Sequence, residues 1–121
     1  MRVAVAEDDF LIAMQMEDAL SAAGLRVVGL ARTADEVIDL ARREHPLLVI
    51  MDVRLGGTRD GIDAARELYR QFGVRCIFAT ANDDRHTRER AEAYAPLGWL
   101  TKPYTIASLL AAVTDALVAL R

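Results

Sequence analysis

Five apolar residues in succession, Leu47-Leu48-Val49-Ile50-Met51, run directly into Asp52, with Pro46 before them and Gly56-Gly57 after. A run this short and this uniformly apolar has no polar side to present to water. It predicts a strand buried on both faces, the habit of parallel sheets covered by helices. Asp52 is then the residue with which a central strand leaves the core. In an open α/β sheet the carboxyl ends of the strands line the ligand crevice, so a carboxylate delivered there is a candidate functional group. Taken alone, it is more simply a turn or helix-cap residue.

The remainder of the chain alternates between strand and helix periods. Val3-Ala4-Val5-Ala6 predicts a first strand, and Asp9 through Ala23 a helix stopped by Gly24. Leu25 to Leu30 predicts a second strand, followed by a helix capped at Thr33 that ends before Pro46. A third helix is expected from about Asp60 to Phe72, with Ile62, Ala65, Leu68, Tyr69 and Phe72 on one side and Gly73 closing it. Cys76 to Thr80, then Gly98 to Thr101, predict the last two strands, with a charged helix from Asp83 to Tyr94 between them. The final helix, Ile106 to Leu120, carries a core stripe of Ile106, Leu109, Leu110, Val113, Leu117 and Leu120 opposite a largely alanine face. Five β-α units with short connections imply a parallel sheet with helices on both sides, because such crossovers are right-handed and must return over the sheet.

Global properties narrow the function classes. At 121 residues and 53% hydrophobic composition the chain suffices for one core, so a single domain over 1–121 is expected. A net charge of -3 gives no basic face for nucleic acid. No apolar run approaches the ~20 residues of a membrane span, and no signal peptide is evident after Met1-Arg2. One cysteine, Cys76, excludes an internal disulfide and a cysteine-based zinc site, and its apolar surroundings fit a buried thiol in a reducing cytoplasm.

The strand ends acquire meaning together. The first ends in Glu7-Asp8-Asp9, the third in Asp52, the fourth in Thr80-Ala81, and the fifth runs into Lys102-Pro103. With strand order 2-1-3-4-5, the first and third strands are neighbours at the point where the chain reverses direction, and several carboxylates crowd one crevice. Carboxylates so placed repel one another unless a cation is present, and an all-oxygen cluster suits Mg²⁺. Magnesium bound by only one or two protein carboxylates commonly takes phosphate oxygens as well, which points to phosphoryl chemistry.

Glu7-Asp8, Asp52, Thr80-Ala81 and Lys102-Pro103, in this order and on these elements, resemble the receiver domain of two-component response regulators, across essentially the whole chain. The resemblance implies a flavodoxin-like, doubly wound, five-stranded parallel sheet with five helices and no output domain. It implies a cytoplasmic signalling module rather than an enzyme, active at most in its own phosphorylation and slow autodephosphorylation. Asp52 would accept a phosphoryl group from a phosphohistidine of a sensor histidine kinase or histidine phosphotransfer protein. Glu7, Asp8, Asp52 and the main-chain carbonyl of Arg54 would hold Mg²⁺. Thr80 and Lys102 would contact phosphoryl oxygens, Ala81 would leave the phosphorus open to in-line attack, and the Lys102-Pro103 bond would be cis. The loop Leu55 to Gly61 and Phe78-Ala79-Thr80 resemble a stand-alone alphaproteobacterial subgroup with a Phe-Ala-Thr motif. Where the family usually carries Tyr or Phe three residues before the lysine, this chain has Trp99.

Other readings are weaker. An aspartyl-phosphate phosphatase would want a second aspartate two residues after Asp52, where Arg54 stands. A flavin-binding module would want a phosphate-cradling loop after the first strand, where Glu7-Asp8-Asp9 would repel phosphate. A phosphate-independent interaction module of the same fold is a further alternative. His45 and His86 lack a carboxylate partner at evident spacing and read as surface histidines. Arg85, Arg88 and Arg90 interleave with acids and predict a solvated face. The alanine-rich side of the last helix, beside Trp99, predicts contact with a downstream protein or a second copy of the chain.

Overall fold

The structure is a computed structural model of residues 1–121 and describes all of them except Asn82 and Asp83. Five parallel strands, β1 (Arg2–Ala6), β2 (Arg26–Ala31), β3 (Leu48–Asp52), β4 (Arg75–Thr80) and β5 (Gly98–Thr101), lie in the order β2-β1-β3-β4-β5. The connecting helices are α1 (Phe10–Ala22), α2 (Ala34–Glu44), α3 (Gly61–Phe72) and α4 (Arg85–Ala91), and α5 (Ile106–Ala119) follows β5. The strand order is the expected one: β2 is added on one side of β1 and β3 to β5 on the other, so the winding across the sheet reverses between β1 and β3.

Every residue of β3 is buried. Alternate strand residues serve opposite layers, as the two-residue period of a strand requires. Val49, Met51, Cys76 and Phe78 pack with Val37, Ile62 and Leu68 of α2 and α3, whereas Leu48, Ile50, Ile77 and Ala79 pack with Met16 and Leu20 of α1 and Leu109 and Val113 of α5. Each large apolar side chain withdrawn from water in this way contributes about 1.5–3 kcal/mol. Burial pushes the Cys76 thiol up to about 12, so it is a packing group and not a nucleophile.

The helix ends follow from their capping residues. Asp9 lies before α1, not within it, and its carboxylate accepts from the N–H of Leu11 and Ile12 at 3.0 and 3.3 Å. Thr33 caps α2 as expected. Asp60 caps α3 in a reciprocal box with Asp63, and Thr105 does the same for α5 with Ser108. Gly73, at φ 66°, ends α3 in the left-handed conformation that glycine adopts without a Cβ penalty.

Three expectations change. The charged helix is α-helical only over Arg85–Ala91 and continues as a 3-10 turn, Glu92–Tyr94; its predicted start at Asp83 lies outside the described residues, and Asp84 is the cap. In α5 the fully buried residues are Leu109, Val113 and Ala116, while Ile106 is 47% exposed. Ala116, assigned by pattern to the outer face, is small enough to lie against the core, and Ile106 is the first residue of the helix. Tyr69 of α3 likewise lies at the rim, exposed.

The third change concerns the arginines of α4, which are not merely solvated. Arg90 grips Asp60 through both terminal nitrogens, at 2.6 and 3.2 Å, and reaches Asp63 at 3.5 Å. Arg88 lies over the Trp99 ring at 5.0 Å, and Trp99 stacks on Phe78 with centroids 4.9 Å apart. Burial alone would raise the Asp60 pKa, but the Arg90 hydrogen bonds and the capped N–H groups outweigh it and hold the carboxyl below its ordinary value. A carboxyl depressed in the folded state stabilises the fold above its unfolded pKa and loses that contribution as pH falls through the folded value. Asp60→Ala is therefore expected to cost about 1–2 kcal/mol at pH 7, the upper range of a lost cap, and progressively less only as pH falls from about 4 through the depressed folded value. Arg90→Ala, at a partly exposed pair, should cost at most about 1 kcal/mol. Urea unfolding from pH 7 into that acid range measures both; a loss for Asp60→Ala that persisted unchanged in acid would assign it to something other than the carboxylate.

Candidate functional site

Parallel pairing of β1 with β3 and of β3 with β4 brings three strand ends to one edge of the sheet. There an open pocket of about 400 Å³ is lined by Glu7, Asp8, Asp52, Arg54, Thr80, Ala81 and Lys102, all of the residues expected from the strand ends. Asp84 and Thr87 of the α4 region also line it, and no sequence signal singled them out. Asp9 borders the pocket too, but its side chain is spent on capping α1.

Within the pocket Lys102 is the hub. Its ammonium donates to Asp52 Oδ2 at 2.8 Å and to Glu7 Oε2 at 3.0 Å. Asp52 Oδ1 accepts from the N–H of Arg54 at 3.1 Å, and Glu7 Oε1 from the N–H of Asp9 at 3.1 Å. Glu7 and Asp52 are 2% and 4% exposed, and Thr80 is also buried. The fifth strand supplies the lysine: Lys102 N–H donates to Thr80 O at 2.8 Å, extending the β4–β5 pairing to the pocket, and the Lys102-Pro103 peptide is cis.

Glu7, Asp8 and Asp52 each place a carboxylate oxygen within 4.8 Å of the others. Hard oxygen donors this close, two of them buried, fit a divalent cation such as Mg²⁺, which leaves room for water and phosphate oxygens in its octahedron. Burial pushes Glu7 up to about 7 against the pull of the Asp9 N–H and the Lys102 ammonium. Burial opposes charge on Lys102 as well, but hydrogen bonds to Asp52 and Glu7 outweigh it and raise its pKa above the ordinary value. Nearby, the Tyr104 hydroxyl donates to Met16 Sδ at 3.1 Å, and burial together with the Glu7 charge pushes it up to about 12, so it remains a phenol. Lys102 is thus a fixed cation held between two carboxylates.

The loop from Val53 to Asp60 is tied down on both sides. Gly56 N–H donates to Arg32 O at 3.2 Å, Arg59 pairs with Asp35, and Gly61 N–H donates to Val53 O at 2.7 Å. Arg54, two residues beyond Asp52, is therefore part of a braced segment.

A family profile described as the response regulator receiver domain matches residues 3–114. The transcriptional regulatory protein PdtaR of Mycobacterium tuberculosis is 38% identical over 112 residues, which cover 93% of this chain and 54% of that protein. The phyllosphere-induced regulator PhyR of Methylorubrum extorquens is 35% identical over 117 residues, 95% of this chain and 43% of that protein. The chain thus spans about half the length of the curated relatives it matches. Among solved structures, the response regulator PhyR from Brucella abortus superposes with a TM-score of 0.82 at 32% identity, covering 98% of this chain and 48% of that one. The signal receiver domain of a modulated diguanylate cyclase from Desulfovibrio desulfuricans gives 0.88 at 28% identity, covering 98% and 94%. No helix of the described residues is long and apolar enough to cross a membrane. In its profile match, its identity to PdtaR and PhyR and its flavodoxin-like sheet, this chain belongs to the response regulator receiver domains, a family of signalling modules rather than enzymes.

Proposed function

We propose that the chain is a phosphorylation-switched module of a two-component or phosphorelay system in which Asp52 takes a phosphoryl group from a phosphohistidine of a kinase or phosphotransfer protein. The observation that carries this reading is the Lys102 ammonium, 2.8 Å from Asp52 and 3.0 Å from Glu7, beside the Asp8 carboxylate. An Asp52 oxygen attacks the phosphorus in line, an acyl phosphate P–O bond forms, and the P–N bond breaks with its electron pair returning to the ring nitrogen. The imidazole leaves neutral when its other nitrogen keeps its proton. Lys102 faces the negative charge gathering on the phosphoryl oxygens, and Thr80 offers a hydroxyl donor to one of them. Ala81, with only a methyl group, leaves the approach to phosphorus open. Glu7, Asp8, Asp52 and the Arg54 carbonyl would hold Mg²⁺, which would supply positive charge to neutralise the phosphoryl oxygens beside Asp52. Phosphorylation adds roughly -1.5 to -2 charges beside Thr80 and so changes the contacts offered by α4, β5 and α5 to a downstream protein or a second copy.

Mixing the protein with a phosphorylated histidine phosphotransfer protein and Mg²⁺ should move label from histidine to this chain. Label that stayed on the donor with every phosphotransfer protein and kinase of the parent genome would overturn the phosphorelay reading.

Mg²⁺ binding has its own pH signature. Because Glu7 must ionise to serve as a ligand, with a pKa of about 7, apparent affinity should fall roughly tenfold from pH 8 to pH 6. The metal-free folded state holds the Glu7 proton more tightly than the unfolded chain does. Its stability should therefore decline as pH rises from 4.5 to about 7, and Mg²⁺ should restore it. Calorimetry at several pH values, with Glu7→Gln and Asp8→Asn alongside, measures this; equal affinity in wild type and Asp8→Asn would move the metal elsewhere.

A further inference from the structure

The first residue of α3 touches the phosphoacceptor's own backbone. Gly61 is buried, and a Cβ placed on it would overlap the carbonyl oxygen of Asp52 and stand 2.9 Å from both the Asp52 carbonyl carbon and Met51 Cγ. Ordinary contacts to carbon are about 3.5–4.0 Å, so even a methyl group cannot be accommodated without moving backbone. The φ of Gly61 is not in the left-handed region, so the demand is for space and not for conformation. At the same residue the N–H donates to Val53 O at 2.7 Å. The crowded peptide is itself anchored, since Val53 N–H donates to Ala79 O of β4 at 2.9 Å, and Arg54 N–H donates to Asp52 Oδ1 at 3.1 Å.

We propose that Gly61 is a positioning residue for phosphoryl transfer: its bare Cα seats the Asp52 carbonyl, and its N–H holds the Val53 carbonyl, so that the Asp52 carboxylate and the Arg54 segment sit at the depth the pocket requires. The inference rests on Asp52 being the phosphoacceptor. Neighbouring strand and helix leave little choice of relaxation when a side chain is added at 61. β3 is paired on both sides, so the peptide linking Asp52 to Val53 must rotate or α3 must lift. Either movement shifts Asp52 relative to Lys102, which contacts it from a different strand at 2.8 Å. A displacement on the order of 1 Å between a nucleophile and its partners can cost about 100-fold in rate.

The test is phosphoryl uptake from acetyl phosphate with Mg²⁺ in wild type, Gly61→Ala and Gly24→Ala, followed by intact mass against time. Gly24 lies after α1 at φ 90° with open space around it, so an alanine there destabilises the protein without touching the pocket. For Gly61→Ala the expected result is a maximal rate roughly 10- to 100-fold lower and a weaker Mg²⁺ affinity, with native far-ultraviolet circular dichroism. Gly24→Ala should lose thermal stability and keep the wild-type rate. If Gly61→Ala needs sucrose to fold, all three proteins are compared in sucrose. A folded Gly61→Ala that takes up phosphate at the wild-type rate overturns the proposal. So does one that stays unfolded even in sucrose, which makes Gly61 a requirement of folding and not of positioning. Absence of uptake in wild type from acetyl phosphate and from every phosphohistidine donor would instead refute Asp52 as acceptor and the function built on it.

Discussion

Asp52→Ala is expected to abolish phosphoryl uptake completely, while wild type incubated with acetyl phosphate and Mg²⁺ gains one phosphate by intact mass. Asp52 alone combines a carboxylate at the end of a fully buried strand with a lysine ammonium at 2.8 Å and two further acidic oxygens for a metal. Asp8 is exposed, and Glu7 arrives from β1 with one oxygen on Lys102 and the other on the Asp9 N–H. No other carboxylate of the described residues has that combination. Unfolding should not confuse the result. Removing Asp52 leaves Lys102 paired to Glu7 and relieves a like-charge contact, so stability should change by no more than about 1 kcal/mol. An adduct that persists in Asp52→Ala would sink the assignment.

Lys102→Ala should have the second largest effect, a loss of roughly 100- to 1000-fold in the rate of uptake, comparable to deleting one donor from a preorganised anion site. The Lys102 side chain is 22% exposed and its ammonium is held by two buried carboxylates, so it needs little reorganisation when charge appears on the phosphoryl oxygens. Its removal also leaves Glu7 and Asp52 facing each other without a cation. That repulsion exists only where both are ionised, so the variant should be less stable at pH 8 than at pH 6 relative to wild type, and Mg²⁺ should recover most of the difference. Initial rates at saturating Mg²⁺, with thermal melts at the two pH values, separate the catalytic loss from the electrostatic one. A Lys102→Ala protein phosphorylated at the wild-type rate would show that the ammonium serves the fold alone.

Much of this architecture was legible along the chain because it depends on one-dimensional periods and on capping chemistry. The apolar run before Asp52, the stops at Gly24 and Gly73, and the cap at Thr33 fall where local backbone energetics put them. Topology then follows with little freedom, since right-handed crossovers over a parallel sheet carry successive strand ends to one edge. For that reason Glu7, Asp8, Asp52, Thr80 and Lys102, spread over 96 positions of sequence, are expected in one pocket from the chain alone.

What escaped the pattern belongs to contacts between elements, whose partners depend on crossing geometry and not on spacing. A helical period identifies an apolar side of α5 but not how it rolls on the sheet, and that roll buries Ala116 and exposes Ile106. Charge interleaving in α4 reads as solvation, yet Arg90 finds Asp60 30 residues away and Arg88 finds the indole of Trp99. In the sequence Gly61 is only the end of the loop that begins at Leu55. The strands and the acidic and basic groups that reach the sheet edge are written in the chain, because they follow from local energetics and chain chirality. That α3 begins against the carbonyl of Asp52 is a product of packing, because that closeness exists between two elements only once both are in place.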